Sequence, residues 1–183
     1  SNYAKVSSHF LHLDELFVAT LNKFSNFVGC IAWLNDPTII NAMKGKSLGI
    51  LITKDKFDSP LKPLYDSTCD NEYSVTCGLH PSTRFDTLVD TEERAGGVRI
   101  MGDKRESDYL LMHNKFVVFG DIENKVFVPK VVWIGSRNFT IAAKRHRESV
   151  VIIEDATIAA SFRQEWANLY LNSEPLETDS SSF

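Results

Sequence analysis

Apolar and polar segments alternate along the first fifty residues in a pattern typical of alternating helices and strands. Apolar residues recur every three or four positions over residues 8–24, which predicts an amphipathic helix. Residues 27–34 and 47–53 are nearly continuous apolar runs, which predict buried strands. A short helix over residues 38–43, capped by Asp36, is predicted between them. This order of elements favours an α/β sheet.

The second half of the chain extends the same sheet. Asp155 is a predicted N-cap for a closing amphipathic helix that ends near Leu171. Residues 55–95 contain few periodic apolar positions and predict a loop-rich excursion. Residues 173–183 are polar and serine-rich and predict a flexible tail. Further strands are predicted at residues 98–101, 109–119, 125–135 and 148–153. We therefore expect one α/β domain over residues 1–172, with a mixed β-sheet flanked by helices on both faces.

The composition excludes several classes of protein. The 183 residues are 43% hydrophobic and 24% charged, which is enough for one globular core. No apolar run is long enough to cross a bilayer, and no secretory leader is visible, so we expect a cytoplasmic protein without stable membrane association; a leader removed earlier stays an open alternative. The three cysteines form an odd and sparse set, which favours a reducing compartment over a disulfide framework.

The net charge of −4 does not by itself predict a polyanion-binding protein, but binding to nucleic acid needs only a local basic patch. The densest basic stretch is Lys144-Arg145-His146-Arg147. Since it lies between two predicted strands, Lys144, Arg145 and Arg147 are candidate contacts to a phosphate backbone. A solvated loop is the alternative interpretation.

Two of the predicted strands carry polar residues at informative positions. His113 and Lys115 are two residues apart in an apolar run, so a strand would project both side chains to the same face. The next apolar run ends in Gly135-Ser136-Arg137-Asn138, and Glu148 stands at the start of the strand after it. Taken singly, each of these groups is ordinary, because His-x-Lys pairs are common and Gly, Ser and Asn form turns.

Together, these residue types suit attack on a phosphodiester. An imidazole is available in its neutral form near neutral pH, so His113 is the candidate nucleophile for covalent catalysis. Lys115 can neutralise the non-bridging phosphate oxygens, and Ser136 and Asn138 can donate hydrogen bonds to them. Glu148 can hold one imidazole nitrogen and so fix the tautomer. Arg137 lies between two of these residues, where contact with substrate and simple solvent exposure are both open.

The set His113-x-Lys115, Gly135-Ser136-x-Asn138-Phe139-Thr140 and Glu148 resembles the signature of the phospholipase D superfamily. The order of elements fits this family over nearly the whole chain, and the spacings are similar to those of its small bacterial nucleases. The excursion at residues 55–95 is the part least covered. The chain departs from the family pattern at Gly120, where the family has an aspartate with a mainly structural role; a β-bulge would allow Asp121 to take that place.

The resemblance also implies how the site is completed. A second histidine must act as general acid on the leaving oxygen, yet the chain holds one copy of the motif. Single-copy members of the family pair two subunits, which implies a symmetric homodimer with His113 of each copy facing across the axis. No aspartate cluster suited to magnesium accompanies the motif, and Cys69, Cys77 and His80 fit no standard zinc module. We therefore expect metal-independent chemistry without a cofactor.

The predicted function is that of a phosphodiesterase, an endonuclease acting through a covalent phosphohistidine, with DNA favoured over RNA as the partner. The single motif and the basic stretch favour nucleic acid over lipid. One alternative is a phospholipase D or phosphatidyl transferase acting on phospholipid. Another is a catalytically silent nucleic-acid-binding module, or the catalytic part of a larger protein.

Overall fold

The computed structural model describes residues 3–44, 46–53, 98–105, 108–124 and 126–175. Within them, nine strands form one sheet: β1 (Lys5–His9), β2 (Asn26–Ile31), β3 (Ser47–Thr53), β4 (Val98–Arg105), β5 (Asp108–Leu111), β6 (Lys115–Glu123), β7 (Val126–Gly135), β8 (Val150–Glu154) and β9 (Glu174–Pro175). The helices are α1 (Leu13–Lys23), α2 (Pro37–Met43) and α3 (Ala156–Leu171). The predicted excursion at residues 55–95, with Cys69, Cys77 and His80, lies outside the described residues.

The strands follow the order β1-β8-β7-β6-β2-β3-β4-β5 across the sheet, and β9 also pairs with β4. The β2–β3 and β3–β4 pairs are parallel. The pairs on either side of them, β2–β6 and β4–β5, are antiparallel. Parallel neighbours need a crossover connection, which α2 supplies between β2 and β3. The sheet is therefore mixed, as predicted.

Each face of the sheet carries its own apolar core, because successive strand residues point to opposite faces. On one face α1 and α2 pack against the strands, with a core that includes Phe17, Leu21, Ile39, Met43, Phe27, Val117, Phe119 and Trp133. On the other face α3 packs on a second core that includes Ala159, Trp166, Ala167, Val28, Cys30, Phe116, Val118 and Val132. The prediction of an α/β domain with helices on both faces is confirmed.

The start of the chain corrects the prediction of a helix over residues 8–24. Residues Lys5–His9 form β1, which pairs antiparallel with β8, and α1 begins only at Leu13. Nearly all of β1 is exposed at the edge of the sheet, so its sequence lacks the apolar alternation that marks a half-buried strand. Phe10, which the helical spacing placed in the core, is 63% exposed.

The predicted strand over residues 109–119 is two strands. Asp108–Leu111 form β5 on β4, whereas Lys115–Glu123 form β6 between β2 and β7. The chain has to cross from the edge of the sheet to its middle between the two, so residues 112–114 leave the ladder. His113 therefore lies on the connection, and Lys115 is the first residue of β6.

Residues 173–175, which the sequence assigned to the flexible tail, pack on the sheet. Glu174 and Pro175 pair with β4, and the Arg99 guanidinium donates hydrogen bonds to the Ser173 hydroxyl (2.7 Å) and carbonyl oxygen (3.0 Å). The remaining tail, residues 176–183, lies outside the described residues.

The predicted helix starts are confirmed, because Asp36 Oδ1 accepts from the Thr38 amide at 3.0 Å and Asp155 Oδ1 from the Ile158 amide at 2.8 Å. Among the described helices, none combines the length and apolar character needed to cross a membrane.

Candidate active site

The strand order brings three separate stretches of sequence to one end of the sheet. β6, β7 and β8 are antiparallel neighbours, with Phe116 opposite Ile134 and Gly135 opposite Val150. The start of β6, the end of β7 and the start of β8 therefore meet at the same edge. We call His113, Lys115, Ser136, Asn138 and Glu148, which lie at this edge, the motif cluster.

His113 and Lys115 are in contact, although only Lys115 lies on a strand. The Lys115 ammonium nitrogen is 3.3 Å from both ring nitrogens of His113 and donates a 2.8 Å hydrogen bond to the His113 carbonyl oxygen. Because it is equally far from the two nitrogens, the ammonium acts on the ring mainly as a charge. The Trp33 ring meets the imidazole edge-on, with 5.4 Å between centroids and an interplanar angle of 79°. His113 itself is exposed to solvent.

The environment of Lys115 shifts its titration. Partial burial lowers the pKa of Lys115 from its ordinary value, and the nearby Glu148 carboxylate opposes that effect. The effect of the carboxylate couples Lys115 electrostatically to Glu148 across the sheet. An anion bound beside Lys115 would favour the charged ammonium in the same way as Glu148 does.

Ser136 and Glu148 form a hydrogen-bonded pair. The Ser136 hydroxyl donates to Glu148 Oε2 and accepts a 3.2 Å hydrogen bond from the Ser149 amide. Because Gly135 pairs with Val150, Ser136 comes opposite Ser149 just beyond the ladder, next to Glu148. Glu148 was predicted to hold the His113 imidazole; within the described contacts of one chain its hydrogen-bond partner is Ser136.

Asn138 is oriented by Trp33, which lies two residues beyond the end of β2. Its Oδ1 accepts a 3.3 Å hydrogen bond from the Trp33 amide, so the amide nitrogen is left to donate elsewhere. The next residue, Phe139, donates its amide to the Trp33 carbonyl oxygen (3.1 Å) and forms a parallel bridge with Leu34. The backbone of Trp33 thus holds both the Asn138 side chain and the amide of the next residue.

Arg137 is buried, so of the two alternatives that the sequence left open, simple solvent exposure is wrong. Its side chain is 6% exposed. Nε and Nη2 donate to Asp14 Oδ1 at 3.0 and 2.6 Å, and Nη1 donates to the Ala143 carbonyl oxygen at 2.8 Å. Alternation along the chain directs Arg137 away from its neighbours Ser136 and Asn138, towards α1. Its contacts tie α1 to the 142–145 turn.

The basic stretch lines a groove of about 470 Å³ beside the motif cluster. We call it the basic groove; its lining includes His12, Glu15, Lys144, Arg145, His146 and Arg147, with the buried Arg137–Asp14 pair at its base. Lys144 is paired with the buried Asp36 carboxylate at 2.9 Å, whereas Arg145 and Arg147 are exposed. Arg147 directly precedes Glu148, so one end of the basic stretch is next in sequence to the motif cluster.

A second depression, the α3 cleft, opens on the opposite face of the sheet. Its volume is about 410 Å³, and its walls are His113, Asn114, Lys115, Phe116, Ile134, Gly135, Ser161, Phe162 and Glu165. The motif cluster therefore adjoins two depressions, one basic and one with a mixed polar and apolar lining.

The departure from the family motif coincides with a β-irregularity. The register between β6 and β7 shifts between Phe119 and Gly120, but the extra residue is Lys130 on β7, so the suggestion that a bulge brings Asp121 into the place of residue 120 stays a prediction. The Asp121 carboxylate pairs with Lys130 at 2.7 Å, on the strand opposite and away from His113. Its partner is thus a neighbouring strand residue.

Sequence reasoning missed several residues that position the site. Trp33 orients both His113 and Asn138, and Asp14 holds Arg137. The sequence gives no signal for the roles of Trp33 and Asp14, because each of their contacts with the site joins residues more than 75 positions apart. Among the described residues, no group of three or more His, Cys, Asp and Glu side chains is placed to hold a metal ion.

Residues 51–170 match the family model described as cardiolipin synthase, PLD-like domain. An uncharacterized protein of Acanthamoeba polyphaga mimivirus, L381, is 26% identical over 92% of this chain and 66% of its own length. A phospholipase D of Rickettsia felis is 50% identical over 56% of this chain and 58% of its own. One of Rickettsia bellii is 33% identical over 55% and 57%. The chain thus spans just under two thirds of the viral relative and less than three fifths of these rickettsial ones.

Solved structures show the same fold. Nuc of Salmonella typhimurium, described as a phospholipase D family member, superposes with a TM-score of 0.63 at 14% identity, covering 96% of this chain and 100% of that chain. NucT of Helicobacter pylori gives a TM-score of 0.55 at 16% identity, covering 95% of this chain and 100% of that one.

Proposed function

Because this chain belongs to the phospholipase D superfamily, we propose that it is a metal-independent nuclease that cleaves nucleic acid through a covalent phosphohistidine. The observation that carries the proposal is that direct sequence neighbours of motif residues line the basic groove: Arg147 precedes Glu148, and Arg137 lies between Ser136 and Asn138. Binding of a single phosphate requires only the motif cluster. Exposed arginines beside it are what a chain of phosphates would contact.

Substrate binding follows from the donors at the cluster. Lys115 lies against His113, so a phosphate within reach of the imidazole also meets the ammonium, which neutralises its non-bridging oxygens. The Asn138 amide nitrogen supplies a further donor. Arg145 and Arg147 would contact phosphates farther along the strand, and Lys144 would contribute charge while remaining paired with Asp36.

The reaction has two steps. A ring nitrogen of His113 attacks phosphorus, and the bond from phosphorus to the leaving ester oxygen breaks as that oxygen takes a proton from a second imidazolium. Water then attacks the phosphohistidine, gives its proton to the second imidazole, and releases the phosphate end together with His113. The chain supplies one such motif, so the second imidazole is His113 of another copy in a homodimer.

A phospholipase D or phosphatidyl transferase is the second candidate. The rickettsial relatives are named phospholipase D, and the matching family model is described as cardiolipin synthase. The same attack on phosphorus would serve a phospholipid. The basic groove is the feature that favours nucleic acid.

Parallel assays test the proposal. Supercoiled plasmid in EDTA should be nicked, whereas labelled phospholipid vesicles should release no headgroup. His113→Ala and Lys115→Met should abolish nicking. Lys130→Met is a matched control, since Lys130 pairs with Asp121 and Glu123 away from the cluster. Reactions quenched with denaturant at alkaline pH, where the P–N bond of phosphohistidine is stable, should carry a phosphate-linked adduct on the peptide containing His113.

Three results would contradict parts of the proposal. Activity lost in EDTA and restored by magnesium would exclude the metal-independent mechanism. Headgroup release without nicking would assign the lipid function. Turnover per chain that stays constant on dilution to a sedimentation-proven monomer would exclude the shared site.

A further inference from the structure

The α3 cleft begins at His113 and Lys115 and ends at α3, so it adjoins the motif cluster. Its volume of about 410 Å³ lies in the range of small-molecule pockets. The side chains that α3 contributes, Ser161, Phe162 and Glu165, share one side of the helix because Glu165 is four residues from Ser161 and three from Phe162. Beyond His113 and Lys115, the cleft is lined by aromatic, apolar and acceptor groups.

The floor of the cleft is apolar and aromatic. Phe116 is buried, and Phe162 packs edge-on against it with 5.1 Å between centroids at 69°. Phe162 and Ile134 remain partly exposed towards the cleft. A flat apolar group would therefore find a rigid aromatic surface there.

The polar groups on the α3 wall are acceptors. The Ser161 hydroxyl donates its proton to the Ile158 carbonyl oxygen at 2.7 Å, so only its lone pairs face a ligand. Glu165 is exposed, and none of the ion pairs within the described residues engages it. A carboxylate repels phosphate, so this wall selects a different part of the substrate, one that carries hydrogen-bond donors.

We infer that the α3 cleft is a subsite for the unpaired base next to the scissile phosphate, and that Glu165 selects bases with amino groups, guanine above all. This rests on the proposed nuclease function. Guanine offers adjacent N1–H and N2–H donors on its Watson–Crick edge, which match the two oxygens of a carboxylate. Thymine and uracil offer a single N3–H donor there, flanked by two carbonyl oxygens that Glu165 repels. Base stacking on Phe162 is expected, and single strands are favoured because paired bases hide that edge.

The test uses oligothymidylate substrates with one central guanine, inosine, adenine or cytosine. Wild-type protein should cleave beside guanine about tenfold faster, in kcat/KM, than between thymines, as expected for charge-assisted hydrogen bonds. Inosine, which lacks the 2-amino group, should fall between the two. Glu165→Gln should reduce the guanine preference to less than about twofold while cleavage between thymines continues. Glu154→Gln, a change of the same kind at the far end of β8, should keep the full preference.

Each outcome decides one point. Cleavage that depends on His113 but is equal at all bases, or a preference that survives Glu165→Gln, overturns the subsite and leaves the nuclease function intact. Absence of cleavage of any oligonucleotide overturns the nuclease function itself. If Glu165→Gln slows hydrolysis of phosphatidylethanolamine vesicles and leaves oligonucleotide cleavage unchanged, the cleft belongs to a headgroup amine and the base subsite is wrong.

Discussion

Arg137 stands within the family motif, yet its contacts predict a role in stability and none in substrate binding. We consider Arg137→Met, which keeps most of the apolar length of the side chain and removes the guanidinium. The variant would leave Asp14 Oδ1 without two donors and the Ala143 carbonyl oxygen without one.

The magnitude follows from burial. Removing one partner of a buried ion pair costs about 3–5 kcal/mol, because the other charge stays buried and unpaired. Here Arg137 is 6% exposed but Asp14 is 22% exposed, and the ammonium of Lys144 lies near enough to interact with Asp14. Water and Lys144 therefore compensate in part, and we expect a loss of roughly 2–3 kcal/mol. For a chain of this size that lowers Tm by about 8 °C.

The assay combines thermal unfolding with the salt dependence of DNA binding. Arg137→Met should lower Tm while the slope of log Kd against log salt stays at the wild-type value. Arg147→Met is the matched control because Arg147 is exposed in the basic groove. It should leave Tm unchanged and reduce the salt slope by about one.

A double variant sharpens the test. Asp14→Asn combined with Arg137→Met should cost less than the sum of the two single changes, because no charge is then left unpaired. Wild-type Tm in Arg137→Met together with a reduced salt slope would refute this reasoning and return Arg137 to the substrate-binding residues.

Two further predictions concern the end of the sheet. If turnover needs the charged ammonium of Lys115, kcat/KM falls as pH rises through the pKa of Lys115. The Glu148 carboxylate raises that pKa, so Glu148→Gln should move the alkaline limb of the kcat/KM profile to lower pH. An alkaline limb that does not move would contradict the coupling between the two residues. Gly135→Ala should lower kcat by about 100-fold, since its Cβ would lie 2.0 Å from the Ser149 carbonyl oxygen and force β7 and β8 apart at the cluster. Wild-type kcat in a variant with intact circular dichroism would contradict this.

The order of elements was predictable wherever burial leaves a pattern. The strands β2 and β3 are buried along almost their full length, so their residues form continuous apolar runs. Asp36 and Asp155 predicted helix starts because capping is a local interaction between a side chain and the nearest amides. β1 left no pattern because an exposed edge strand buries neither face.

For the candidate site, the sequence supplied the residue types and their order, from His113 to Glu148. It did not supply their partners. Both sides of Arg137 carry motif residues, so sequence alone left open whether its charge faces substrate; the position of Asp14 on α1 decided that. Glu148 likewise meets Ser136 because β7 and β8 are paired in a particular register.

The sequence by itself determined the α/β alternation, the caps and the identity of the family, because these depend on periodicity, local hydrogen bonds and residue types. Tertiary structure alone decided that His113 lies off the strand, that Trp33 and Asp14 support the site, and that α3 forms a cleft beside it. Those features are contacts between residues far apart in the chain. They depend on strand order and helix packing, which no local pattern encodes.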